Sequence, residues 1–231
     1  MPRRPERGLF IAGTSTEVGK TFVAALIARS LRAQGHRVGV YKPVASGCRT
    51  NRAVLVSDDA VRLAEAADCL DDLEDVCPQR FAAPLAPYIA ARAEGKQIDE
   101  DLLLQGIEVW SDRCDIVLVE GAGGLMSPIT DQVYNATLAG ELGYPLVIVA
   151  PNELGVINQA LQTLITAKAV GEDLPVAAVI LNNLHEATDP SCQSNLRELK
   201  SHCSPVSVYE VARDATELSG VTDWYALAGS C

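Results

Sequence analysis

The chain has no basic patch. Nineteen Lys and Arg stand against 30 Asp and Glu, giving a net charge of −11. A general nucleic-acid binder needs clustered cations for phosphate contacts, so nucleic acid is not expected as a partner. No apolar run is long enough to cross a bilayer. The basic start, Met1 to Gly8, is followed by only a few apolar residues, too few for the core of a signal peptide. A cytoplasmic protein without membrane attachment is the expectation. The seven cysteines, at 48, 69, 77, 114, 192, 203 and 231, are odd in number and form no CxxC pair. That argues against a disulfide framework or a zinc site, and for reduced thiols. Internal repeats, linkers and low-complexity tracts are also absent. The 231 residues, 48% of them apolar, therefore suit one α/β domain spanning 1–231. The tail from about residue 214 carries no readable pattern.

What is present is a series of short apolar runs separated by helical stretches. The runs are Leu9–Ala12, Val38–Tyr41, Ile116–Val119, Leu146–Ala150, Val176–Leu181 and, more weakly, Val206–Val211. They do not alternate with polar residues, so both faces should be buried, as in parallel strands covered by helices. Helices are expected over 20–34, 57–67, 99–111, 135–142, 158–170 and 193–200. Ser57 is a good N-cap, and Gly35 can end the first helix. Residues 71–96, with Pro78, Pro84 and Pro87, read as loop with short helices. Right-handed crossovers then give a doubly wound, mostly parallel sheet with helices on both faces.

Gly13-Thr14-Ser15-Thr16-Glu17-Val18-Gly19-Lys20-Thr21 follows the first strand and opens the first helix. That is the context of a phosphate-binding loop, in which backbone N–H groups and the helix N-terminus meet phosphate oxygens. Lys20 would reach the β- and γ-phosphates and Thr21 would offer a hydroxyl to Mg²⁺. Gly13 lies one residue further from Gly-Lys-Thr than the common motif has it.

A second motif, Glu120-Gly121-Ala122-Gly123-Gly124, ends the run Ile116–Val119. Ligands of open α/β sheets sit at the carboxyl ends of strands, where a carboxylate can hold Mg²⁺ near phosphates. Lys42 ends the second run and points to the same crevice. Asp58 and Asp59 open a helix, where acidic residues are favoured for electrostatic reasons alone.

The combination resembles the dethiobiotin synthetases, a family with the P-loop NTPase fold. The long-spaced loop, Tyr41-Lys42-Pro43 through Ser46-Gly47, Val119-Glu120-Gly121-Ala122-Gly123-Gly124, Pro84 to Pro87 and Leu154 to Asn158 all fit that family's pattern, from residue 8 to about 183. The resemblance implies ATP as co-substrate and Mg²⁺ as cofactor. It places Glu17, Val18, Gly19, Lys20, Thr21, Phe22, Asp59, Glu120, Gly121, Ala122 and Gly123 along the nucleotide, with Asn182 and Asn183 at the base. Thr21, Asp59 and Glu120 would hold the metal, and Asp59 is preferred to Asp58 because Ala60 and Leu63 follow it as in the family. Lys42 and Lys20 would be catalytic. Thr16, Lys42 and Ser46 would contact 7,8-diaminononanoate, with Gly155 and Asn158 reaching it from the neighbouring subunit of a homodimer. The implied reaction captures CO2 on one amine, phosphorylates the carbamate and closes a cyclic urea.

Three positions depart from the family's habits. Ser15 and Asn183 stand where Asp is frequent, and Val206 to Tyr209 replaces a Gly-x-x-Pro near the base. Loose selectivity for adenine is expected from the last. Two other readings fit the loop: a partner-switching ATPase, and a regulatory paralogue that binds nucleotide without turnover.

Overall fold

The structure, a computed structural model, describes residues 3–170, 174–185, 189–218, 220 and 223–229. In chain order the strands are β1 (Gly8–Gly13), β2 (Val38–Tyr41), β3 (Val44–Ala45), β4 (Arg49–Asn51), β5 (Val54–Val56), β6 (Gln79–Arg80), β7 (Ile116–Gly124), β8 (Leu146–Pro151), β9 (Val176–Asn182) and β10 (Val208–Val211). The α-helices are α1 (Lys20–Ala33), α2 (Asp58–Ala67), α3 (Leu73–Val76), α4 (Pro87–Ala93), α5 (Glu100–Gln105), α6 (Asn135–Leu142), α7 (Val156–Ala169), α8 (Cys192–His202) and α9 (Trp224–Leu227).

Six strands form one sheet in the order β10-β9-β8-β1-β7-β2, and every neighbouring pair is parallel. The strand order explains the unbroken apolar runs. β1, β7 and β8 lie inside the sheet, and each is buried along nearly its whole length. The chain steps from β1 towards β2 in one direction, and from β7 through β8 and β9 to β10 mainly in the other. Right-handed connections therefore put α1 on one face and α6, α7 and α8 on the opposite face. The switch point falls at β1 and β7, so the crevice opens where the glycine loop and Glu120 emerge.

The six strand positions and the main helices lie where the apolar pattern puts them. Ser57 caps α2, accepting from Ala60 N at 3.2 Å. Three boundaries differ. The stretch expected as one helix over 99–111 becomes α5 followed by a 3-10 turn, Gly106–Trp110. The last strand begins at Val208, not Val206. α7 starts two residues early, at Val156, because Gly155 sits at φ 97° and turns the chain into the helix. Two features had no counterpart in the sequence reading. One is the exposed β4–β5 hairpin; the other is the two-stranded pair β3–β6. Within the tail, Trp224 of α9 is fully buried.

Candidate active site

The glycine loop leaves β1 and turns into α1 through Glu17 at φ 58° and Gly19 at φ 87°. Gly19 is required by space as well as by φ. A Cβ there would lie 2.1 Å from Asn182 Nδ2. Asn182, at the end of β9 and 1% exposed, donates from that nitrogen to Val18 O at 3.0 Å. The end of β9, two strands away from β1 in the sheet, thus braces the loop and ties it to the sheet. Lys20 is buried and lies 3.4 Å from Ser15 O, folded back across the loop. Burial lowers the Lys20 pKa, as does Lys42, while Glu120 and Asp59 act to raise it.

Glu120 is the centre of the charged cluster. Its carboxylate is 1% exposed, and Oε1 accepts from Thr21 Oγ1 at 3.0 Å and from Lys42 Nζ at 2.5 Å. Lys42 also lies 3.0 Å from Asp59 Oδ2. Burial depresses the Lys42 pKa, but Glu120 and then Asp59 outweigh it and the net shift is upward. Asp59 is pushed below the usual carboxylate range: burial opposes the shift, and Lys42 and Thr21 overcome it. The two neighbouring aspartates are separated by the helix. Asp58 pairs with Arg49 on the surface at 2.6 Å, while Asp59 faces the cluster.

The donor set suits a small hard cation. Oε2 of Glu120 is buried with no hydrogen-bond partner. A buried carboxylate oxygen left without a partner is costly, and a cation would satisfy it. Glu120, Asp59 and the Thr21 hydroxyl offer oxygen ligands only, as Mg²⁺ prefers. Among the described residues no group of three His, Cys, Asp or Glu could hold a metal, so water and phosphate would complete the shell.

The other expected residues lie in four different settings. Thr16 lies with Ser127, Met126, Gln159 and Gln162 along a groove of about 410 Å³ beside the loop. Gly155 and Asn158 are exposed at the start of α7, whose Gln159 meets Thr14 across 3.4 Å. Ser46 follows β3 and is half-buried. Asn183 is engaged elsewhere: its Nδ2 donates to Glu210 Oε1 and to Val211 O, each at 3.0 Å, and its Oδ1 accepts from Asn152 at 2.8 Å.

Comparison with known proteins decides the family. The chain is 40% identical to the ATP-dependent dethiobiotin synthetase of Rhodopirellula baltica over 220 residues, covering 90% of this chain and 85% of that one. The chain belongs to the dethiobiotin synthetase family. A second relative with the same description, from Anaeromyxobacter dehalogenans, is 38% identical across 93% of this chain and 96% of its own. A family model described as an AAA domain matches residues 7–217. Among solved structures, a ParA family ATPase from Chlorobium tepidum superposes with a TM-score of 0.53 at 18% identity, covering 91% of this chain and 85% of that one. That likeness speaks for the P-loop α/β fold alone.

Asn135 had no place in the sequence reading beyond starting a helix. It is 1% exposed and bonds the glycine turn behind Glu120 at three points. An asparagine at a helix start is ordinary in sequence, so nothing in the pattern marks it.

Proposed function

We propose that this chain is an ATP-dependent dethiobiotin synthetase, acting on 7,8-diaminononanoate and CO2. The observation that carries the reading is the Lys20–Thr21–Lys42–Asp59–Glu120 cluster at the switch point, in a chain whose family relatives have that activity. One amine of the substrate adds to CO2, giving a carbamate and releasing a proton. A carbamate oxygen attacks the γ-phosphorus of ATP and ADP leaves. The second amine then attacks the carbamoyl carbon, closing the five-membered urea and expelling phosphate.

Lys20 and the loop amides hold the β- and γ-phosphates. Lys42 places an ammonium between the carbamate and the phosphoryl group in transfer, where it stabilises charge that redistributes in the transition state. Thr21, Asp59 and Glu120 would hold Mg²⁺, which would supply charge neutralisation on the phosphate oxygens. Thr16 and Ser46 orient the diamine so that both nitrogens meet one carbon.

The working unit in this reading is a homodimer in the cytoplasm. Leu154 is 77% exposed and Ile165 is 65% exposed, beside Gly155 and Asn158. Covering those apolar side chains with a second copy would bring Gly155 and Asn158 to the neighbour's diamine. The test is mass spectrometry after incubation with diaminononanoate, bicarbonate, ATP and magnesium. Dethiobiotin formed in step with ADP is the expected result. ADP release that ignores the diamine would instead favour a partner-switching ATPase.

A further inference from the structure

The glycine turn behind Glu120 contains a break in the sheet. β1 and β7 pair in regular parallel register from Gly8↔Val117 to Ile11↔Glu120, and the next pair is Gly13↔Gly124. Two residues of β1 are thus set against four of β7. The surplus forms a bulge directly after Glu120, and a bulge leaves ladder groups unpaired and re-aims the neighbouring side chain.

Asn135 fills the gap. Its Oδ1 accepts from Ala122 N at 3.1 Å, while its Nδ2 donates to Ala122 O at 2.7 Å and to Gly124 O at 2.8 Å. A carboxamide carries the donor and acceptor of a peptide group, so this side chain stands in for the missing strand. Gly121 makes room for it: a Cβ there would lie 2.7 Å from Oδ1. The base of the clamp is fixed in turn, because Asn135 N donates to Ser127 O at 3.2 Å and Ala136 N to Leu125 O at 2.9 Å. Ser127 Oγ adds a second tie, accepting from Gly124 N at 2.8 Å.

We propose that Asn135 is a positioning residue for the reaction: it fixes the bulge that sets the Glu120 carboxylate against Thr21 and Lys42. The inference rests on the reading that Glu120 acts in the reaction. Asn135 acts through the backbone and the carboxylate it aims. A misplacement of about 1 Å in such a group can cost on the order of a hundredfold in rate.

Asn135→Asp keeps the acceptor and removes both donors; Asn135→Ala removes everything. Leu138→Ala is the control, because Leu138 is buried on the same helix and its aliphatic side chain has no donor or acceptor to offer the turn. Both Asn135 variants are expected to lower kcat about ten- to a hundredfold. They should also raise the magnesium concentration for half-maximal turnover. Calorimetry should show weaker binding of magnesium with a non-hydrolysable ATP analogue. Leu138→Ala should lower the melting temperature and leave kcat and the magnesium requirement as they were. Should the Asn135 variants not fold, Ser127→Ala removes one tie and should move the same quantities less far. Wild-type kcat and magnesium requirement in Asn135→Asp would overturn the proposal. So would the same kinetic change in Leu138→Ala at an equal loss of melting temperature. Glu120→Gln is measured alongside: if its turnover is untouched, the reading of Glu120 fails, whatever Asn135 does.

Discussion

Lys42 Nζ lies 2.5 Å from Glu120 Oε1, and both side chains are almost sealed from solvent. The ammonium also bonds Asp59, so it rests on the two carboxylates proposed as metal ligands. In this arrangement the Lys42 ammonium balances the charge of both carboxylates. A divalent cation arriving with nucleotide would take over that balance and free the ammonium for the phosphoryl group.

Lys42→Met keeps most of the stem and removes the charge. Turnover should fall by about 10²–10³, the scale for removing one electrostatic stabiliser. The same variant should bind Mn²⁺ more tightly than the native protein when no nucleotide is present, because the competing ammonium is gone. Paramagnetic titration reads this directly. Equal or weaker metal binding would contradict the competition, and near-normal turnover would remove Lys42 from the mechanism.

Glu120→Gln and Asp59→Asn should both raise the magnesium requirement, yet differ in stability. Glu120 is the buried partner of Lys42, whereas the Asp59 side chain is 46% exposed. Glu120→Gln leaves Lys42 with the half-exposed Asp59 alone and should cost a few kcal/mol, below the roughly 3–5 kcal/mol of a fully stranded buried charge. Asp59→Asn leaves the buried pair intact and should cost about 1 kcal/mol or less. Urea midpoints on the two variants give the ranking. Equal midpoints would mean that the Lys42–Glu120 pair is not what holds this end of β7.

The fold and the charged cluster were legible for the same reason: both are written in local sequence. Parallel strands buried on two faces leave unbroken apolar runs such as Ile116–Val119, and a phosphate loop must sit between a strand and a helix. What escaped was non-local. Asn135 clamps Ala122 across 13 residues, and Asn182 props Val18 across 164, so neither bond leaves a pattern in its own neighbourhood. The β4–β5 hairpin turns through Arg52 and Ala53 at positive φ, without the Asn-Gly or Asp-Gly that announces such a turn. Residues 99–111 misled because apolar residues at i and i+3 suit both an α-helix and a 3-10 turn.

Stability should fall in alkali. Burial pushes the Cys69 and Cys114 thiols up to about 11 and Cys77 up to about 12; the buried Tyr41 phenol is also raised. In the unfolded chain these thiols ionise near pH 8.5. Between that pH and about 11 the folded state holds more protons, so the slope of stability with pH is negative. Each group contributes a loss of up to about 1.4 kcal/mol per pH unit in that window. Urea unfolding at pH 8 and pH 10 measures it, and a midpoint that does not fall would contradict the burial of these thiols. Iodoacetamide at pH 8 should leave Cys77 unlabelled until the protein is unfolded.

Nucleobase selectivity should be loose, and Asn182 should govern affinity more than choice. Asn182 is 1% exposed, its Nδ2 is held by Val18 O, and its Oδ1 is buried without a partner. Asn183 spends its amide on Glu210, Val211 and Asn152. An amide reads a base edge by pairing one donor and one acceptor with it, and most of that capacity is already used inside the protein. Val206 to Tyr209, running into the last strand, stands where the resemblance implies a Gly-x-x-Pro. Turnover with GTP or CTP should therefore come within about a hundredfold of ATP, a difference of about 2.7 kcal/mol in the barrier. Asn182→Ala removes the prop under Val18 and Gly19, so it should weaken all three nucleotides by a similar factor. If Asn182 instead read the base, the variant would lose ATP affinity and leave GTP and CTP unchanged. Competition binding of the three triphosphates to native and Asn182→Ala protein separates these outcomes, and a selective loss of ATP would assign the asparagine to the base.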